Sequence, residues 1–182
     1  MKILGLDSSG IVASVAIVED ENLIAEYTVN YKKTHSQTLL PMLDELAKMT
    51  ELDLDTIDAI AVAAGPGSFT GLRIGSATAK GLGLALKKPL VEIPTVDALA
   101  YNLYDAKALI CPIMDARRSQ VYTGIYRFED HKLVTVEAQM AVPMAEMIQK
   151  LNARGEEVIF LGDGVPVFAK MIEENLKVPY SF

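Results

Sequence analysis

The chain has 182 residues, 51% of them hydrophobic, and a formal net charge of −7, a length that supplies one large or two small domains with cores of their own. No run of Lys or Arg is dense enough to form a basic stripe, so tight RNA or DNA binding by this chain alone is not expected. A single cysteine, Cys111, excludes an internal disulfide; with Asp7 interrupting the first apolar run, no cleavage pattern after it and no apolar run of the ~20 residues a membrane span needs, a cytoplasmic protein is expected.

Residues 2–6 predict a strand, Asp7-Ser8-Ser9-Gly10 a turn, and 11–18 a second strand. Glu19-Asp20-Glu21-Asn22 turns again before a third strand over 23–29, so the chain opens with an antiparallel meander. Over 34–50 the period becomes helical, with Leu39, Met42, Leu43, Leu46 and Met49 on one face. Pro41 removes an i→i−4 bond from that helix, so a kink or a loosened first turn is expected.

Residues 59–64 are apolar without a break, the pattern of a strand buried on both faces. Gly65-Pro66-Gly67 stops that strand, and Ser68 or Thr70 supplies an oxygen to cap the helix that follows. In this helix Gly71, Gly75, Ala79 and Gly83 recur every four residues and make a ridge almost without side chains. Each helical Gly costs about 0.8–1 kcal/mol relative to Ala, so close approach of another backbone must compensate. On spacing alone the ridge packs inside the chain's own sheet layer; the alternative is contact with another subunit. The turn matches neither G-x-G-x-x-G nor G-x-x-x-x-G-K-[ST], so its signal for nucleotide is weak.

A short strand at 90–93 and a helix at 95–104 close the first half, and the same programme then restarts. Strands at 108–114, 121–128 and 133–138 precede a helix with Pro143 at its first position, running to about Asn152, with Gly155 after it. A buried strand at 158–161, the turn Gly162-Asp163-Gly164 and a helix opened by Pro166 complete it. ILGLD at 3–7 matches CPIMD at 111–115, and the Glu-Asp pair at 19–20 matches that at 129–130. Both halves read βββαβα, a duplicated α/β unit with a mixed sheet and helices on its faces. The boundary is expected near 104–107, giving domains of 1–104 and 105–182.

That element order resembles the RNase-H-like halves of the actin-like ATPase superfamily. GPGSFTGLRIG at 65–75, LDSS at 6–9, HSQTLLP at 35–41 and DARRSQVY at 115–122 together resemble the bacterial TsaB (YeaZ) family. The chain is shorter at its C-terminus than is usual there, which implies either a truncated second subdomain or a second half that is pared down. The resemblance implies a noncatalytic, cytoplasmic scaffold subunit of the machinery that forms N6-threonylcarbamoyladenosine at position 37 of tRNA. Such a subunit pairs with the catalytic paralogue TsaD, recruits the ATPase TsaE, meets tRNA only through the complex, and forms a homodimer in isolation. Under this reading Ser36, Leu39, Leu43, Gly71, Leu72, Gly75 and Ala79 form the partner interface, with two helices side by side and small residues at the crossing.

The residues weigh separately on chemistry. TsaD carries a metal site on H-x-x-x-H, whereas here Leu39 stands four residues after His35 and the other histidine, His131, lies in the second half. One His with scattered carboxylates makes no transition-metal site, so a metallopeptidase lacks its ligands, and His35 reads as a surface or packing residue at a helix start. Cys111 inside an apolar strand reads as an inert thiol, and Ser68 has neither a G-x-S-x-G elbow nor a visible base. In the superfamily, carboxylates at the ends of the first strands face phosphates and Mg²⁺, and Asp7 and Asp115 hold those places with Ser8, Ser9 and Gly10 as the first loop. These residues are either a vestigial phosphate and Mg²⁺ site or, more simply, groups that satisfy turn amides. Gly162-Asp163-Gly164 is a remnant adenosine-side loop or only a turn. Arg117 and Arg118 pair with a partner's acidic groups or sit in a solvated turn. No catalytic residue, metal or cofactor of its own is expected, and ATP with Mg²⁺ only weakly or at the partner interface; the alternative is an ATP-binding phosphotransferase or ATPase.

Overall fold

In the computed structural model, which describes residues 1–31 and 34–182, the alternating N-terminal pattern folds as β1 (Lys2–Asp7), β2 (Ala13–Glu19) and β3 (Asn22–Val29), paired antiparallel. Helix α1 (His35–Met49) follows, then a 3-10 turn at Leu54–Thr56 that the sequence did not announce. Strand β4 (Ala59–Gly65) joins β1 in parallel, and α2 (Phe69–Leu86) leads to β5 (Leu90–Pro94), parallel to β4. The sheet order is β3-β2-β1-β4-β5.

One face of this sheet presents Leu4, Leu6, Val15, Ile17, Ile60 and Val62 to Leu39, Met42, Leu43 and Leu46 of α1 and to Ala79 of α2. Burying a side chain of this size stabilises by roughly 1.5–3 kcal/mol, so the layer rests on this face. Helix α1 continues through Pro41, which lies exposed.

Helix α3 (Thr95–Tyr101) ends three residues before the expected limit. The second half then repeats the plan. Strands β6 (Leu109–Asp115), β7 (Gln120–Glu129) and β8 (Lys132–Pro143) form the meander, and β8 runs past the expected end at residue 138. Pro143 is therefore the last strand residue and caps the next helix instead of opening it. Helix α4 (Met144–Arg154), β9 (Val158–Leu161), α5 (Val165–Asn175) and a short β10 (Tyr180–Ser181) complete the chain.

The second sheet has the order β10-β9-β6-β7-β8, the first sheet's order with each strand replaced by its counterpart. Two α/β units with mixed sheets and this shared topology are RNase-H-like subdomains. The glycines that close β4 and follow β9 repeat as well: Gly65 has φ +104° and Gly162 φ +105°. Strand β6 is buried along Leu109–Met114 because both of its faces are covered. Leu109, Cys111 and Ile113 face α4 and α5, whereas Ile110 and Met114 pack with Val96 and Ala100 of α3 and with Tyr126.

Compact units of 1–95 and 96–182 result, so the division falls after Thr95, ahead of the 104–107 boundary read from the sequence. The reason is side-chain packing. The apolar face of α3 belongs to the second sheet's core, and Tyr126, fully buried, donates its hydroxyl proton to Asp97 Oδ1 at 2.6 Å. No helix among the described residues is long and apolar enough to cross a membrane.

Candidate functional site

The loop after β1 is folded inward. Asp7 Oδ1 accepts the Ser9 N–H at 2.7 Å, an Asx-type turn. Ser8 and Ser9 are 2% and 3% exposed. Ser8 donates its hydroxyl proton to the Gly71 carbonyl at 2.9 Å, and the Ser68 N–H donates to the Ser9 carbonyl at 2.6 Å. His35, at the start of α1, donates from Nε2 to the Gly10 carbonyl at 2.8 Å. The loop thus joins β1 to the first turns of both helices, through the Ser8 hydroxyl and the carbonyls of Ser9 and Gly10.

This geometry explains the glycines of α2. The buried residues of the helix are Gly71, Gly75, Ala79 and Gly83, so the bare ridge faces its own sheet. A methyl group at Gly71 would run into the Ser8 carbonyl oxygen, and one at Gly75 would lie 2.6 Å from Ser8 Oγ. Gly83 approaches Leu90 of β5 in the same way. Ser68 caps the helix, its Oγ accepting the Gly71 N–H at 3.2 Å.

The interface residues read from the sequence must therefore be corrected. Leu39, Leu43, Gly71, Gly75 and Ala79 are all buried inside the first unit and present no side chain outward. Ser36 stays exposed and Leu72 half-buried. A bulky residue at Gly75 would disturb this unit's own packing.

The outward faces of the same two helices carry what the ridge does not. Phe69, Arg73, Ala77, Lys80 and Leu84 recur at spacings of four, four, three and four along the exposed side of α2. Phe69 is 69% and Leu84 82% exposed, and the Arg73 guanidinium lies 3.8 Å from the centroid of the Phe69 ring. Helix α1 packs beside α2 and adds exposed Leu40 and Pro41. An open groove of about 430 Å³ follows α2 toward β5, with Ala64, Phe69, Leu72 and Ala77 as its apolar lining and Arg73, Lys80 and Glu92 as its charges. Heptad-like spacing with an aromatic and an Arg at its head was the available signal for this stripe; the glycine period masked it.

The corresponding turn in the second unit is built on Asp115. Its Oδ1 accepts the Arg117 N–H at 2.9 Å and its Oδ2 pairs with Arg117 Nη1 at 3.3 Å. The Asp115 N–H donates to Asp163 Oδ1 at 3.1 Å, and the Gly164 N–H to the Ile113 carbonyl at 3.0 Å. Asp7 and Asp115 thus each close their own turn. Gly162-Asp163-Gly164 fastens the end of β6 to the start of α5.

Among the described residues, no three His, Cys, Asp or Glu side chains are gathered as a metal site. Burial pushes the Cys111 thiol up to about 12, against the opposing hydrogen bond to Thr123, so it carries no thiolate at neutral pH. His131 pairs with Asp105, 3.3 Å from its Nδ1.

The sequence model of TsaD, the tRNA N6-adenosine threonylcarbamoyltransferase, matches residues 22–181. The TsaB protein of Bacillus subtilis, named for tRNA threonylcarbamoyladenosine biosynthesis, is 36% identical over 97% of this chain and 77% of its own. The tRNA N6-adenosine threonylcarbamoyltransferase of Fervidobacterium nodosum is 34% identical over 75% of this chain and 45% of its own. The solved structure of YeaZ from Pseudomonas aeruginosa matches all of this chain and 83% of its own at 26% identity, with a TM-score of 0.84. A relative so similar over nearly the whole chain, and a solved structure that reproduces both subdomains, show that this chain belongs to the TsaB (YeaZ) family.

Proposed function

We propose that the chain serves tRNA threonylcarbamoyladenosine biosynthesis in the cytoplasm as a noncatalytic docking subunit. It pairs with the threonylcarbamoyltransferase TsaD through the outer faces of α1 and α2, and the pair recruits the ATPase TsaE and meets tRNA as a complex. The observation that carries this reading is the exposed stripe Phe69–Arg73–Ala77–Lys80–Leu84 beside Leu40 and Pro41. Exposed apolar surface rimmed by charge marks a protein interface, and aromatic and Arg side chains are its usual anchors. In isolation, two copies pair through the same face. The ATP-binding alternative has less support, since Asp7 and Asp115 are engaged by backbone N–H groups and the Ser8 hydroxyl is held by Gly71.

Sedimentation of this chain with the transferase encoded in the same genome tests the proposal. Ala77→Glu places a charge in the middle of the stripe without touching the core. It should abolish association while leaving the circular dichroism spectrum and melting temperature unchanged. Undiminished association would refute the docking face.

A further inference from the structure

We propose that the turn Arg117-Arg118-Ser119 is a second contact site, presenting the Arg118 guanidinium to a carboxylate of the transferase subunit; this deepens the docking reading and rests on it.

Three successive non-glycine residues there have positive φ: +67°, +52° and +60° at Arg117, Arg118 and Ser119. L-residues visit this region singly and at a penalty, so a run of three persists only where its surroundings impose it. Those surroundings are on view. The Ala116 N–H donates to the Gln120 carbonyl and the Gln120 N–H to the Arg117 carbonyl, both at 3.0 Å. The Met144 N–H, at the start of α4, donates to the Ser119 carbonyl at 3.1 Å. Asp115 holds both the Arg117 N–H and its guanidinium. The turn is thus tied to β6, β7 and α4 while its side chains point to solvent.

Comparison with the first unit shows what has been freed. The loop after β1 uses the same Asx-type bond, from the Ser9 N–H to Asp7, but then buries Ser8 and Ser9 against α2. At the corresponding place in the second unit stand Ala116 and Arg117, and Arg117 has 87% of its side chain exposed. Arg118 is exposed, and among the described residues no carboxylate pairs with it. A strained turn that is fastened through its backbone, grips no internal helix with its side chains and carries a free guanidinium is a preorganised anion contact.

A carboxylate fits it better than RNA. Two arginines, one already neutralised by Asp115, can displace few phosphate counterions, and a chain of net charge −7 repels a polyanion. A single carboxylate is what one planar guanidinium grips with two parallel hydrogen bonds.

The test is isothermal titration of the full-length chain with the transferase at two salt concentrations, beside filter binding of tRNA to the assembled pair. Arg118→Glu should weaken association with the transferase at least tenfold and Arg118→Lys by less, neither changing the melting temperature. Wild-type affinity in Arg118→Glu overturns this proposal and leaves the α2 docking face standing. Intact association with reduced tRNA binding also overturns it, and makes an RNA phosphate the occupant. Absence of any association by the wild-type chain refutes the docking reading itself, and this one with it.

Discussion

Gly75 offers the sharpest test of the packing that sets α2 on its sheet. Replacing it with Ala gains about 0.8–1 kcal/mol of helix propensity. The new methyl would lie 2.6 Å from Ser8 Oγ, which must swing off the Gly71 carbonyl. Ser8 is 2% exposed, so no water receives the displaced hydroxyl, and a buried polar group left unpaired costs about 1–3 kcal/mol. Gly75→Ala should therefore destabilise the wild-type chain by about 1 kcal/mol, combining the two terms. In Ser8→Ala the obstructing oxygen is gone, and the methyl's next neighbours are Val62 Cγ2 at 3.6 Å and the residue 8 Cβ at 4.0 Å, both ordinary contacts. There Gly75→Ala should stabilise by about 0.8–1 kcal/mol, the propensity gain alone. The sign reverses between backgrounds, a coupling of about 2 kcal/mol that urea denaturation of the four proteins resolves. Equal stabilisation in both backgrounds would refute the contact. Because Gly75 faces inward, the folded variant should still bind the transferase.

Two further expectations concern the second unit. Glu137 on β8 lies between Arg154, 2.7 Å from its Oε1, and Lys150, 3.2 Å from its Oε2; the Arg154 hydrogen bond leads in holding its carboxyl below the usual glutamate range, with burial opposing. A depressed folded-state value stabilises above the unfolded value of about 4.3 and is lost as pH falls through the folded one. Glu137→Gln should thus unfold about 1 kcal/mol more easily at pH 7, and the difference should close on acidification below about pH 4, as chemical denaturation at several pH values would show. Tyr126→Phe removes the bond to Asp97 and should cost about 1 kcal/mol. It should also raise hydrogen exchange in α3; unchanged protection of Val96 and Ala100 would mean that apolar packing alone holds this helix.

Most of the fold was legible because it is written in local periods. The two meanders alternate, β6 is apolar without a gap, and the turns at 65–67 and 162–164 announce themselves by glycine. The division between the units was displaced because no local signal says which sheet an amphipathic helix covers; α3 follows β5 in sequence yet gives Val96 and Ala100 to the core around β6 and β7. The continuation of β8 to Pro143 escaped for a related reason. Its outer half reads Ala138-Gln139-Met140-Ala141, without clean alternation, and is held as a strand by cross-strand bonding to β7. The interface was misplaced for a third reason. A glycine every fourth residue records that something comes close but not what does, and the Ser8 carbonyl that comes close belongs to a loop some sixty residues earlier.

The duplication turns that last point into an argument about division of labour. Both units end their first strand in an aspartate that accepts the N–H two residues on, and both begin the last helix of the βββαβα core after a glycine turn. In the first unit the aspartate's loop is closed by serines that hold α2, which fixes that helix rigidly and leaves its outer face free. In the second unit the loop grips no helix with its side chains and turns two arginines outward instead. A shared turn whose side chains serve support in one copy and exposure in the other is what a binding subunit requires: rigid surfaces whose order is settled before a partner arrives, so that little conformational freedom remains to be lost on docking.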